Sequence, residues 1–292
     1  MKKIGLIFVI LLFVSCKTKK FNHIVYYNKV NGIDSVFRFE KDTMVTIKNY
    51  KKLFRKYNPR NQERMREFET YILLSHLKNK NFGGKKSLYK LIDLITPYKI
   101  WYKDYSFFKL YGIDSLKVVK QIKLREQKYN KILNDSFQVA YHRDQHFRKD
   151  GYDTLTRIND LKNIELMKWT LKNYGFPSPE KIGPLKTGYE DIIFVLLAHV
   201  HDYDGYHFYK KELYKYVKTG SCNQRYYAMM IDRYIAFHGD STSSDYGSKV
   251  STYETFPYDT IRIDKNRKLL GLMGMKHYSK VPKDMKQILV IK

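Results

Sequence analysis

Residues 136–148 read SFQVAYHRDQHFR. Phe137, Tyr141, Asp144 and Arg148 recur at helical spacing, with Gln145 beside them, so one face carries both apolar and charged side chains. The period predicts a helix over 137–149. Comparable stripes predict helices over 155–174, 186–202, 206–218 and 223–238. The composition then shifts: 239–252 is rich in Ser, Gly, Asp and Thr and reads as an exposed loop. Asp264 is expected to cap a last helix that Gly271 ends, and 287–291 to form a short strand.

Upstream the period is again helical from Asn61. Met65, Phe68, Ile72, Leu73 and Leu77 form one stripe, broken by Gly83-Gly84. Leu88, Leu91, Ile92 and Ile95 form the next, closed by Pro97. A short segment over 105–110 precedes Gly112, and Leu116, Val119, Ile122 and Tyr129 continue the pattern. Paired helices of this kind resemble a tetratricopeptide-type array, but no fixed period is present. Residues 23–30 and 33–41 are different. They are rich in β-branched and aromatic residues and flank Asn31-Gly32, which is the pattern of a β-hairpin, with 44–47 as a third strand. The expected class is mainly α. Helical hairpins or a bundle follow a small N-terminal β-hairpin or sheet, and a short irregular or β segment lies near the C-terminus. The expected organisation is 1–15, 16–20, 21–135 (β element plus helices) and 136–292 (a helical domain).

The first twenty residues carry an address. Lys2 and Lys3 precede an apolar run over 4–14, followed by Ser15 and Cys16. This is the layout of a secretory signal, and the run is too short to span a bilayer. Phe13-Val14-Ser15-Cys16 resembles a bacterial lipobox, with Phe13 in place of the usual aliphatic residue. The alternative is an ordinary signal with a chance cysteine. In the lipobox reading the chain is cut before Cys16, which receives acyl chains, and 17–20 is a polar tether. Cys222 then stands alone, so no internal disulfide forms. The expected location is the cell envelope, on a membrane, at the periplasmic or outer-membrane face.

The chain carries 55 Lys and Arg against 29 Asp and Glu, a net charge of +26. Such charge invites nucleic acid. An export signal argues against that partner. So does the dominance of Lys over Arg, since Lys, Asn, Ile and Tyr share A/T-rich codons. Lysines near the tether are expected to attract anionic lipid headgroups.

Charge on an apolar stripe is costly unless it is paired or lines a polar site. Asp144 and Arg148 meet this description, as do His199 among Ile192, Leu196 and Val200, and Asp232 and Arg233 among Ala228, Met229, Ile235 and Phe237. Ionisable groups on separate helices are therefore expected to converge. His199 is the natural general base, because an imidazole titrates near neutrality. Asp144 or Asp232 would orient it, and Arg148 and Arg233 would hold an anion. Tyr246, in the polar loop, is a further ligand-binding candidate. Cys222 reads as an ordinary thiol. His199, His201, Asp202, Asp204 and His207 are dense in sequence, but their spacing fits no zinc pattern, so no metal and no cofactor is expected.

Asp144-Gln145 with Arg148, then Asp160, Asn163, residues 174–177 (YGFP), Gly183, His199, Asp232-Arg233, Gly239, Tyr246-Gly247 and residues 263–267 (IDKNR) form an ordered set. This set resembles an uncharacterised bacterial family, domain of unknown function 6624, over about residues 136–280. Phe176 and Ala198 depart from the usual Trp and Gln, and the Gln usually found shortly before Tyr-Gly is missing. The resemblance implies a shared helical domain with a polar cluster and no reaction. It adds Gln145 and Asn163 as ligand-binding candidates. The expected function is an envelope binding or scaffold module that recognises an anionic ligand or envelope component. The alternative is a hydrolase-like enzyme using His199 as base, with water as nucleophile.

Overall fold

The computed structural model describes residues 22–61, 65–98, 106–148, 153–185, 192–200, 205–239, 244–248 and 259–288. The leader, Cys16 and the tether lie outside these residues, as do His201, Asp202 and Asp204. Among the described residues the architecture is helical throughout, with no strand.

Helix α1 covers His23–Ser35 and passes into a π-helical turn, Val36–Glu40. Helix α2 covers Thr43–Lys56, α3 Glu67–Leu77, α4 Gly84–Ile95, α5 Ser106–Lys109 and α6 Ser115–Glu126. The rest follow as α7 Lys131–His146, α8 Asp153–Tyr174, α9 Pro179–Ile182, α10 Ile192–Ala198, α11 Gly205–Thr219, α12 Gln224–His238, α13 Thr260–Leu270 and α14 Met275–Ile288.

The expected N-terminal hairpin is not formed. Asn22 caps α1 by accepting the Ile24 N–H at 3.0 Å. Asp42 caps α2 by accepting the Val45 N–H, so the expected third strand is helical too. Asn31-Gly32 does not turn. Gly32 sits inside α1 with open space around it. The Asn31 amide donates to the Gly271 carbonyl at 2.9 Å, and Asn28 donates to the Lys268 carbonyl at 2.9 Å. Burial of Ile24, Tyr26, Tyr27 and Val30 on neighbouring helices outweighs the β propensity of the run.

Corrections at the C-terminal end are smaller. Asp259, not Asp264, caps α13. Asp264 instead accepts the Met275 N–H at 2.8 Å and so fixes the start of α14. Gly271 ends α13 as expected, at φ 79°, a left-handed conformation that favours glycine. Gln287 and Ile288 belong to α14 rather than to a strand, and 289–291 lie outside the described residues.

Buried apolar side chains gather in two clusters. One is built from α1–α6 and takes in Met273 and Val281 from the end of the chain. The other is built from α7–α12 and takes in Ile24 and Leu270. Helix α3 is buried on nearly every side, so it is the axis of the first cluster. The last helices therefore return to the first, and α1 serves both cores. No helix among the described residues is long and apolar enough to cross a membrane.

Candidate functional site

Helix α7 brings Asp144 to the cluster because its stripe of Leu133, Phe137 and Ala140 is buried. The Asp144 side chain is fully buried. Its Oδ2 accepts from Gln145 Nε2 at 2.6 Å and from Arg148 Nε at 3.3 Å. Its Oδ1 accepts from Arg148 Nη2 at 3.0 Å and faces His199 Nδ1 at 2.8 Å. A carboxylate only accepts, so the proton on Nδ1 is fixed there and a neutral ring presents Nε2 as an acceptor. Burial pushes the Asp144 carboxyl up, but the bonds from His199 and Arg148 outweigh it and hold the group below the usual carboxylate range.

Arg148 also bonds Asp160 on α8, which is nearly buried. One guanidinium thus bridges the carboxylates of two helices. Asn163, one turn further along α8, donates to the Ala140 carbonyl at 3.2 Å and accepts from Arg143 Nε at 2.8 Å. It fastens α7 to α8. His199 follows the last turn of α10, its N–H donating to the Leu196 carbonyl. Beside these groups is a pocket of about 260 Å³ of unoccupied space, lined by Asp144, Asp160, Asn163, Leu196, His199 and Tyr209. Its open part holds about one water molecule.

Three expected members of the site are engaged elsewhere. Asp232 is fully buried on α12, and both of its oxygens serve the loop 244–248. Oδ1 accepts the N–H groups of Asp245 and Tyr246 at 2.8 and 3.0 Å. Oδ2 accepts the Ser248 N–H and hydroxyl at 2.8 and 2.7 Å. This corrects its assignment as a residue that orients His199: it is a loop anchor with its acceptor sites filled. Tyr246 is part of the anchored loop. Its carbonyl accepts from Arg267 Nη1 at 2.7 Å, and its ring packs on the second core. Arg233 lies over the Phe237 ring, 5.7 Å from its centroid.

Asp144, Asp160 and His199 each offer a ligand atom, all within 4.8 Å of one another. The sequence spacing predicts no metal here. The Arg148 guanidinium already bonds both carboxylates. His207, part of the dense sequence cluster, meets Tyr206 and Tyr234 edge-on and is not one of the trio.

A second buried triad went unread in the sequence. Asp34 on α1 accepts from Arg38 Nε at 2.5 Å and from His277 Nε2 at 2.6 Å. Asp34 and Arg38 are fully buried and the His277 side chain is 9% exposed. The signal was available: Asp and Arg stand four residues apart, as Asp144 and Arg148 do. A further buried carboxylate, Glu67 on α3, accepts from the Tyr26 hydroxyl at 2.8 Å and the Asn61 N–H at 2.7 Å.

No protein-family model, no curated protein and no solved structure matches the chain, so the family resemblance rests on the residues that carry it.

Proposed function

We propose that the chain is a lipid-anchored protein of the bacterial envelope that binds an anionic group at Arg148 and His199. The observation that carries the binding reading is the partial exposure of this cluster. The Arg148 and His199 side chains are 25% and 21% exposed, although both bond a carboxylate that is 0% exposed. His199 Nε2 makes no hydrogen bond among the described residues. Asp144 holds the Arg148 guanidinium and the His199 ring in place from below, and their outer faces reach solvent. A planar guanidinium beside an imidazole suits a carboxylate or a phosphate. The anchor reading is supported by the basic, apolar, Ser15-Cys16 order of the leader.

The second reading, a hydrolase, is favoured by the Asp144–His199 pair. A carboxylate on Nδ1 sets the tautomer in which Nε2 takes a proton from water. The adjoining pocket has room for about one water molecule, which suits the nucleophile but leaves the substrate on the open side.

The test is a thermal-shift screen of the soluble chain starting at Lys17, with inorganic phosphate, sulfate and small carboxylates as probes. Binding at this cluster raises the melting temperature with phosphate or a carboxylate, and His199→Ala removes the shift while the unliganded protein melts close to wild type. A shift that survives both His199→Ala and Arg148→Gln places the ligand elsewhere. Turnover of a phosphate or carboxylate ester that disappears in His199→Ala establishes the hydrolase instead.

A further inference from the structure

The stretch 43–56, helix α2, contains Lys48, Lys51, Lys52, Arg55 and Lys56 and no acidic residue. Val45, Asn49, Lys52 and Lys56 share one stripe of the helix. Between that stripe and α1 runs a groove of about 760 Å³ that is open to solvent. Its floor is apolar (Ile33, Leu53 and Tyr57) and its rim carries Lys29, Lys52 and Lys56. Among the described residues none of these lysines pairs with a carboxylate. Lys29 Nζ instead meets the Tyr57 hydroxyl at 3.2 Å and lies over its ring. Met44 and Val45 are 47% and 39% exposed, adding apolar side chains to the same helix. The acidic residues nearest in sequence, Glu40 and Asp42, stand before the other end of α2.

Three converging cations around an apolar floor call for an anionic occupant with an apolar part. Position narrows the choice. Cys16 and Asn22 are six residues apart, a span of at most about 21 Å when fully extended. Lys29 lies about two turns further along α1, roughly 10 Å of helix rise. If Cys16 is acylated, the groove is therefore held within about 30 Å of the bilayer surface, where anionic headgroups are concentrated. Exposed apolar residues among lysines on a helix face are the composition of an interfacial helix. The geometry points to the α1–α2 groove as a docking site for anionic phospholipid headgroups, which seats this face of the protein on the membrane. This inference goes beyond the Arg148–His199 site, and its test leaves out the acyl anchor, so failure of either reading is told apart from failure of the other.

The experiment is co-sedimentation of the chain starting at Lys17 with vesicles of phosphatidylcholine alone, or with about one-third phosphatidylglycerol. The protein is expected to bind the anionic vesicles and not the neutral ones, and to be released as salt rises through a few tenths molar. A lysine near an anionic surface is worth about fivefold in affinity. The variant Lys29→Gln/Lys52→Gln/Lys56→Gln should therefore lose more than tenfold. The matched variant Lys120→Gln/Lys123→Gln/Lys162→Gln, at exposed positions on other helices, should lose less than threefold. Equal losses in the two variants, or no binding of the wild-type chain, overturn the proposal. Full displacement by millimolar glycerol phosphate overturns it in favour of a soluble phosphate ligand. Melting curves establish that each variant is folded. If the triple variant is not, Lys52→Gln/Lys56→Gln replaces it, with an expected loss of at least fivefold.

Discussion

Two clusters of the same chemistry stand in different parts of the molecule. Each has an Asp, an Arg four residues on, and a His from a distant segment. In the first, Arg38 and His277 are 0% and 9% exposed around Asp34. In the second, Arg148 and His199 are 25% and 21% exposed around Asp144, with Asp160 added and a small pocket alongside. The sealed cluster spends its donors on holding α1 to α14. The open one holds α7, α8 and α10 together and still presents Arg148 and His199 to solvent. The pair shows that an Asp–Arg–His set is not by itself a site: exposure separates the fastener from the binding group.

Asp34→Ala gives the largest expected effect. It leaves Arg38 charged and buried without that carboxylate, a loss of about 3–5 kcal/mol in urea unfolding. Asp144→Ala should cost less, about 2 kcal/mol, because Arg148 keeps Asp160 and the Arg148 and His199 side chains can hydrate. Equal losses would erase the distinction between the clusters. Next come the histidines. His277→Ala should destabilise by about 1–3 kcal/mol by removing one of the two donors to a buried carboxylate oxygen, and His199→Ala by less than about 1 kcal/mol; the reverse order would make His199 the structural one.

The acid limb sharpens the comparison further. Asp144 is held below its unfolded value of about 3.9, so its stabilisation is complete above that pH and is lost as pH falls through the lower folded value. Asp144→Asn should flatten the stability profile below about pH 4 relative to wild type, followed by circular dichroism. The smallest effect belongs to His23, where α1 meets the second core. Burial, and then Arg60, lower its pKa to about 4. A folded value below the unfolded 6.5 makes its contribution complete above pH 6.5 and progressively lost down to about pH 4. His23→Gln should remove a shallow slope from that window.

Much of the open cluster was legible because its members interrupt apolar stripes. Asp144, Arg148 and His199 stand where a helical period predicts burial, and they meet. Asp232 gave the same signal for a different reason, since its partners are backbone N–H groups of a loop that no periodicity reveals. The sealed cluster was hidden by a misread period. Aromatic and β-branched residues around Asn31-Gly32 suggested strands, and in a strand Asp34 and Arg38 do not form a helical pair. What overrides the strand signal is a local cap and tertiary packing: Asn22 caps the helix, and Asn31 reaches Gly271 from far away in sequence. Helical content elsewhere followed directly from 3.6-residue spacing, as in α4 and α12.

The bond between Asp34 and His277 closes a span of 243 residues. A chain made from its N-terminus carries a buried-to-be carboxylate long before the imidazole that completes its partners has been synthesised. Helix α1 can form early, but its seat is finished only when the final segment arrives. Synthesis that stops before residue 275 would release a product whose leading helix lacks its stitches to α14, marking unfinished copies for proteolysis while complete ones lock shut.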